Sequence, residues 1–135
     1  MEDRYLFKAK RFDNGEWVQG YLIYSFTGVP IIVTEYDHIL MLVTRYEVDL
    51  KTICQCTGLK DKNGKLIWEN DIMVAHLDED YPEDETYIRI VWCGNGFYTI
   101  ENGSIDTILI DKFDQDHFEV CGNIFDNAEL LESEE

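Results

Sequence analysis

The stretch TGLKDKNGKLIWENDI, residues 57–72 of the 135-residue chain, contains its clearest chain reversals and decides the fold class. Within it, DKNG at 61–64 places Asp where a type I turn starts and Gly at the left-handed position that closes it. The apolar runs at 66–68 and 72–74 lie on either side of a short polar stretch at 69–71. The pattern predicts strands joined by two tight turns, and such turns fix the register of the strands.

Strand-like runs continue outward from this segment in both directions. Residues 5–11 and 16–24 predict two strands joined as a hairpin, because the Asn14-Gly15 pair between them readily supplies positive φ. Further runs rich in β-branched and aromatic residues, each bounded by turn residues, predict strands at 31–34, 86–92, 97–100, 105–110 and 118–123. Near the end, Asp126 or Asn127 could cap a helical turn over residues 128–131.

The run ILMLVTRY, residues 39–46, is ambiguous. Periodicity cannot separate a strand from a buried helix in so short an apolar run. The Gly, Pro and Asp residues around it, and its strand-like neighbours, favour a strand.

These elements together predict a mainly β protein with minor α content. We expect one unit over residues 1–135, with N-terminal strands in residues 1–56 and an SH3-like partial β-barrel in residues 57–125. Residues 126–135 would form a C-terminal turn and a mobile charged tail. The hydrophobic share of 45% is enough for a real core, so the chain does not have the composition of a disordered protein.

The net charge of −17 is distributed very unevenly. Residues 1–60 carry 7 basic and 8 acidic side chains, whereas residues 61–135 carry 4 basic and 20 acidic side chains. The second half would repel a phosphate backbone, so we expect no direct binding of nucleic acid. An acidic surface suits a solvated face, a basic protein partner, or mimicry of DNA.

The sequence predicts a cytoplasmic protein that makes no contact with a membrane. No apolar leader follows the opening Met-Glu-Asp-Arg, and no run approaches the roughly 18 apolar residues that a membrane-spanning helix needs. The four cysteines, Cys54, Cys56, Cys93 and Cys121, are therefore expected to be reduced thiols.

Few residues suggest chemistry. Cys54 and Cys56 could begin a zinc site if His76 or another cysteine converged on them, but isolated cysteines are more often small buried hydrophobes. His38 and His117 are scattered and suggest no catalytic pair. We therefore predict no catalytic residues, no cofactor and no metal.

Two acidic clusters and three tryptophans also have plain structural interpretations. Residues 78–85 and 111–116 offer many carboxylates, but neither follows the order of a calcium-binding EF-hand loop, so both are interpreted as solvated loops. Trp17, Trp68 and Trp92 lie in apolar strands and are predicted to be in the core, although one exposed tryptophan could anchor a partner.

Two stretches resemble a known family. Residues 52–72, TICQCTGLKDKNGKLIWENDI, resemble the signature of the YopX-type phage and prophage proteins, approximately TVGQYTGLKDKNGKxIYEGDI. Residues 121–131, CGNIFDNAELL, resemble its closing IGNIYENPELL, and residues 7–13 resemble its start more loosely. Cys54 and Asn70 replace the usual Gly, and Ala128 replaces the usual Pro. The signature residues are Gly58, Asp61, Asn63, Gly64, Glu69, Asp71, Gly122 and Asn123.

The resemblance implies a phage or prophage origin, a mostly β fold and self-assembly into a homo-oligomer. It implies no catalytic residue. We expect a non-enzymatic accessory protein that assembles with itself or binds a host or phage protein. Two alternatives stay open: an acidic DNA mimic that inhibits a nucleic-acid-binding host protein, and a metal-dependent enzyme that uses Cys54, Cys56 and His76. Backbone geometry already accounts for Gly58, Asp61 and their neighbours, so the signature is expected to be scaffold.

Overall fold

The computed structural model describes residues 5–131, and the chain divides into two compact units between Cys56 and Thr57. We call the part up to Cys56 unit 1 and the part from Thr57 unit 2. Both units are built mainly from antiparallel strands, which confirms the prediction of a mainly β fold. Within the described residues, no helix has the length and apolar character needed to cross a membrane.

Unit 1 is an antiparallel sheet with its own core. Its elements are β1 (Phe7–Lys10), β2 (Trp17–Tyr24), β3 (Pro30–Asp37), β4 (Leu42–Glu47) and a 3-10 helix (Leu50–Thr52). The next strand, β5 (Cys54–Lys60), begins in unit 1 and ends in unit 2. The strand order is β4-β3-β2-β1-β5, with β4 at the edge. The buried side chains of Ala9, Ile32 and Val48 form the centre of the core. Gly20 lies where β2 and β3 approach closely, and a Cβ there would overlap the Val33 carbonyl.

The N-terminal hairpin forms as predicted. β1 pairs with β2 from Phe7 opposite Gly20 to Lys10 opposite Trp17. The intervening turn is held by the Gly15 N–H, which donates to the Arg11 carbonyl at 3.0 Å.

Unit 2 is a second antiparallel sheet. Its elements are the rest of β5, β6 (Leu66–Trp68), β7 (Asp71–Ala75), β8 (Thr86–Trp92), β9 (Phe97–Glu101), β10 (Thr107–Leu109), α1 (Lys112–His117), β11 (Glu119–Asn123) and a 3-10 turn (Ala128–Leu131). Five strands follow the order β10-β9-β8-β7-β11, and β6 pairs with β5. The core consists of Ile67, Met73, Ala75, Ile88, Ile90 and Phe118.

The barrel predicted for residues 57–125 is not closed within the described part of unit 2. β10 and β11 are the two edges of the five-stranded sheet, and β11 pairs with β7. The SH3-like arrangement therefore stays a prediction. Residues 132–135 of the predicted tail lie outside the described residues.

The run 39–46 is a strand only from Leu42 onward. Residues 38–41 form the turn between β3 and β4, with Met41 at φ 56°. The Asp37 carboxylate accepts the N–H groups of Ile39 and Leu40 at 2.9 and 3.1 Å, which stabilises a turn where strand propensity predicted an extended chain.

The second acidic cluster was wrongly interpreted as a loop. Residues 112–117 form α1, and Asp111 caps it: its carboxylate accepts the Asp114 N–H, while the Asp114 carboxylate accepts the Asp111 N–H, both at 3.1 Å. This reciprocal pair is a capping box. An ion pair between Lys112 and Asp116 at 3.0 Å supports the same short helix.

The tryptophans differ in burial. Trp68 is 5% exposed, as predicted for a core residue, and Trp17 is half-buried. The prediction is wrong for Trp92, which is 46% exposed and packs edge-on against Phe97 with ring centroids 5.0 Å apart.

Candidate functional site

Asp61 is a buried carboxylate that bonds three backbone groups. It is only 6% exposed. Its Oδ1 atom accepts hydrogen bonds from the N–H groups of Asn63 and Lys65, both at 2.9 Å. Its Oδ2 atom accepts the N–H of Val120 at 2.8 Å, 59 positions along the chain. Asp61 thus shapes its own turn and fastens it to β11.

The rest of this turn makes further bonds to β11 and to Phe118, the residue before it. The Asn63 side-chain amide donates to the Glu119 carboxylate at 2.9 Å, and the Lys62 N–H donates to the Phe118 carbonyl at 3.1 Å. Gly64 has φ 81°, a left-handed conformation that L side chains rarely adopt. The turn formed by the DKNG motif is therefore hydrogen-bonded to residues 118–120 and holds two parts of unit 2 together.

The second signature turn, between β6 and β7, is built in the same way. Asp71 is 2% exposed, and its carboxylate accepts the Trp68 N–H at 2.8 Å. Asn70 adopts φ 70°, its N–H donates to the Ile90 carbonyl at 2.8 Å, and its carbonyl accepts the Ile124 N–H at 3.0 Å. The turn therefore connects two distant segments of unit 2.

Gly58 and its neighbours set the course of β5. Gly58 has φ 80° inside the strand, and the Thr57 hydroxyl donates to the Ile67 carbonyl at 2.7 Å while accepting the Leu59 N–H at 3.0 Å. Glu69 is half-buried at the following turn.

The closing signature residues hold the C-terminal turn. A Cβ on Gly122 would overlap the side chain of Asn127, whose Oδ1 atom accepts the Asn123 N–H at 3.2 Å. The Asn123 Oδ1 atom accepts the N–H groups of Phe125 and Asp126, both at 2.9 Å. The side-chain oxygens of Asp61, Asp71 and Asn123 thus accept hydrogen bonds from backbone N–H groups of unit 2.

The residues of the zinc hypothesis do not converge on a site. Cys54 and Cys56 are buried, and the Cys54 thiol donates to the Thr52 carbonyl at 3.3 Å. His76 is exposed. Among residues 5–131, no group of three or more His, Cys, Asp or Glu side chains is arranged to hold a metal ion.

The two remaining thiols differ in their surroundings. Both Cys93 and Cys121 are exposed free cysteines. The Cys121 Sγ atom nevertheless turns inward and donates to the Ile72 carbonyl at 3.4 Å. Partial burial of the thiol raises the pKa of Cys121, and this disfavours the reactive thiolate.

The acidic loop at 78–85 is exposed and partly organised by its own carboxylates. Asp78 accepts the N–H groups of Asp80 and Tyr81 at 2.9 and 3.2 Å. The Glu85 carboxylate accepts a hydrogen bond from the Tyr87 hydroxyl, which raises the pKa of Tyr87 to about 12.

A small polar pocket of about 330 Å³ lies in unit 1. Arg11 forms a two-pronged hydrogen bond with Asp13 there, at 3.0 and 2.7 Å, and its guanidinium carbon lies 4.3 Å from the centroid of the Tyr46 ring. The hydrogen bond from Arg11 lowers the pKa of Asp13. Much of the charge in this pocket is therefore compensated locally.

The end of the β3–β4 hairpin carries an unusual concentration of exposed apolar side chains. We define the apolar hairpin as Tyr36, Ile39, Leu40, Met41, Leu42 and Val43, which are 55, 81, 64, 72, 61 and 46% exposed. Single exposed hydrophobic residues are ordinary, but a contiguous group of this kind is typical of an interaction site. The sequence signal is the run 39–46, whose pattern predicts a strand but does not distinguish core from interface.

The outer face of the same sheet continues this surface. Alternation along the strands places Val43 and Arg45 on one face, and the register places Val33 and then Tyr21 beside Arg45. A cavity of about 580 Å³ opens on this face, lined in part by Ile31 and Arg45. The candidate functional site is therefore an exposed apolar surface on unit 1.

Comparisons with known proteins agree with the fold and specify no activity. Residues 6–132 match the family model described as YopX protein. The crystal structure of protein EF1440 from Enterococcus faecalis is similar, with 25% sequence identity and a TM-score of 0.58. That likeness covers 93% of this chain and 96% of the other. A search of curated proteins found no match.

Proposed function

Because the chain belongs to the YopX protein family, we propose that it is a phage- or prophage-encoded accessory protein that acts by contacting proteins and not by catalysis. Its site of action would be the cytoplasm of the bacterial host. The observation that carries the proposal is the apolar hairpin, in which six large hydrophobic side chains are exposed within eight consecutive residues.

The energy available from this surface is sufficient for specific association. Complete burial of one Leu, Ile or Met side chain contributes about 1.5–3 kcal/mol relative to leaving it exposed. Ile39, Leu40 and Met41 are each more than 60% exposed, so most of that contribution is still available for binding. A few such residues usually dominate the affinity of an interface.

Charge favours a second copy of the chain as the partner. Residues 61–135 carry 20 acidic and 4 basic side chains, so two copies repel each other through these regions. Residues 1–60, which include the apolar hairpin, carry 8 acidic and 7 basic side chains. Contact between unit 1 surfaces therefore meets the least repulsion, and a host or phage protein is the next partner we consider.

The use of the polar signature residues supports a non-catalytic role. A catalytic carboxylate needs free lone pairs directed at a substrate. Asp61 instead accepts three backbone N–H groups, and Asp71 is buried against the Trp68 N–H.

The test is sedimentation velocity of the wild type and of a double variant, Ile39→Ser with Leu40→Ser, over a range of concentrations. We expect the wild type to self-associate and the variant to associate at least about tenfold more weakly, the equivalent of 1.4 kcal/mol. Ile105→Ser is the matched control, because Ile105 is 96% exposed in unit 2 and lies outside the hairpin. This control should behave as the wild type does.

A wild type that stays monomeric at every concentration would remove the self-assembly part. Affinity capture of proteins from host lysate then distinguishes the two remaining functions, binding of another protein through unit 1 and acidic inhibition. Loss of a captured protein with the hairpin variant would support binding of another protein through unit 1. Loss on neutralising the carboxylates of residues 78–85, with the hairpin intact, would instead support the acidic inhibitor.

A further inference from the structure

We propose that two copies of the chain join by antiparallel pairing of β4 with β4 of the second copy, across a two-fold axis that passes through Thr44. This proposal rests on the proposed self-assembly and specifies its geometry. It would extend the sheet of unit 1 into one continuous sheet of both copies.

β4 is the least protected sheet edge. It is six residues long, it contains neither Lys nor Pro, and four of its side chains up to Arg45 are exposed. The edge strands β6 and β10 have only three residues each. The fourth edge strand, β11, is covered in part by the Asp61 turn, which binds the Val120 N–H and also the carbonyl of Phe118, the residue before the strand. Proteins normally protect such edges, so a long exposed edge indicates pairing with another strand.

The hydrogen bonds at the end of β4 show which backbone groups are available. The Val48 N–H donates to the Pro30 carbonyl, toward β3, whereas the Glu47 carbonyl accepts the Phe12 N–H on the opposite side. Successive residues of a strand direct their N–H and C=O groups to alternate sides. Val43 and Arg45 therefore direct theirs away from β3, in the same direction as Glu47.

Four two-fold registers can use these outward groups, and three of them meet an obstacle. An axis at Val43 would place Arg45 opposite Met41, which lies outside β4 in the turn at φ 56° and cannot continue the ladder. An axis at Arg45 would place two arginines directly opposite each other, which is destabilising. An axis at Tyr46 would use Glu47, whose outward carbonyl already accepts the Phe12 N–H at 2.9 Å. An axis at Thr44 pairs Val43 with Arg45 of the second copy, and the symmetric pair forms at the same time.

Side chains also favour the axis at Thr44. In this register Leu42 lies opposite Tyr46 of the second copy, an aliphatic–aromatic pair of the kind that stabilises antiparallel sheets. Leu42 is 61% exposed in the single chain, so it gains burial on association. Val43 lies on the other face of β4, where this register places it opposite Arg45 of the second copy.

The experiment is disulfide trapping of Thr44→Cys in a chain that also carries Cys93→Ser and Cys121→Ser. The Thr44 carbonyl accepts a hydrogen bond from the Thr34 hydroxyl, so the backbone groups of Thr44 point toward β3. Thr44 would therefore form a non-hydrogen-bonded pair with Thr44 of the second copy. Such pairs have Cα atoms about 4.5 Å apart, which lies within the range of about 4.4–6.8 Å for disulfides. Cys54 and Cys56 are buried and stay in place.

We expect most of the Thr44→Cys protein to become a covalent dimer under mild oxidation. Thr107→Cys in the same background is the control, because Thr107 is exposed on the other open edge strand and reports random collisions. Equal trapping of the two variants would overturn the proposed pairing. If the hairpin variant abolishes association but Thr44→Cys does not cross-link, self-assembly stands and the β4 register fails. If the wild type is monomeric, both fail.

Discussion

At the scale of single residues, Asp61 is the signature residue whose structural role is clearest. A buried carboxylate is costly unless its oxygens are hydrogen-bonded, and here two oxygens bond three backbone N–H groups. The sequence predicted the local half of this arrangement, because Asp commonly starts a type I turn. The hydrogen bond to Val120 could not be predicted, because Val120 is 59 positions away in the sequence and nothing near Asp61 indicates which strand packs beside the turn.

Asp61→Ala should lower the free energy of unfolding by about 2–4 kcal/mol. The half-buried Val120 N–H loses its acceptor at a cost of about 1–3 kcal/mol, and the N–H groups of the exposed residues Asn63 and Lys65 add less because water can reach them. Urea unfolding measures the change. Asp106→Ala is the control, because Asp106 is exposed, and its effect should be within about 0.5 kcal/mol. Equal effects of the two substitutions would contradict the role assigned to Asp61.

Asp114 leads to a prediction about pH. Partial burial raises the pKa of Asp114 above its ordinary value of 3.8, so the folded chain binds this proton more tightly than the unfolded chain. The resulting stability is complete below the unfolded pKa and is lost as the pH rises through the folded pKa. Asp114→Asn keeps an acceptor for the Asp111 N–H without the charge. We therefore expect this variant to be slightly more stable than the wild type at pH 7.

The advantage of Asp114→Asn should shrink toward pH 3, where the wild-type carboxyl is protonated. Urea unfolding at the two pH values tests this. A wild type that is the more stable protein at pH 7 would show that charge at the start of α1 outweighs the cost of burial.

At the scale of elements, strands with strong turn signals and the helical turn over residues 128–131 could be predicted, whereas the capped helix α1 could not. β6 matches its predicted run because tight turns bound it, and β8 matches because the polar acidic loop and the turn at residues 93–96 bound it. α1 was missed because its six residues show no apolar periodicity and its capping box uses two aspartates. The start of β4 was misplaced because Asp37 stabilises a turn within an apolar run.

The apolar hairpin shows a different limit of sequence reasoning. A run of hydrophobic residues predicts that apolar area will be buried, but it does not specify whether the chain itself or a partner buries it. Residues 39–46 were predicted as a strand on pattern alone. Only the structure places Ile39 and Leu40 at an exposed turn.

A substitution at Gly122 tests the contact between β11 and the C-terminal turn, which no turn signal in the sequence predicts. Gly122→Ala would force the new methyl group against the side chain of Asn127, and we expect a loss of about 1–3 kcal/mol in unfolding free energy. Gly96→Ala is the matched control, because its Cβ would meet Leu109 at an ordinary 3.5 Å. Adding Asn127→Ala to Gly122→Ala should recover part of the loss, and strictly additive effects would contradict the contact.

At the scale of the whole molecule, charge and apolar surface are assigned to different parts of the chain. The second half carries an excess of 16 negative charges, and the first half is close to neutral and contains the apolar hairpin. High net charge keeps proteins apart in solution. An acidic unit 2 would therefore oppose unlimited aggregation of a chain with an exposed apolar edge, while it permits a small assembly in which unit 1 makes the contact.

This division predicts the salt dependence of assembly. Two copies with a net charge of −17 each repel one another, and salt screens that repulsion. The Debye screening length falls from about 10 Å at 0.1 M salt to about 3 Å at 1 M. Apolar pairing through β4 and the hairpin is not weakened by screening, so self-association should strengthen between 0.02 and 0.5 M NaCl, roughly tenfold or more. Sedimentation velocity at both salt concentrations measures the change, and the Ile39→Ser, Leu40→Ser variant should stay largely monomeric at each. Association that weakens as salt rises would mean that opposite charges hold the copies together, and the apolar surface of unit 1 would then not be the contact.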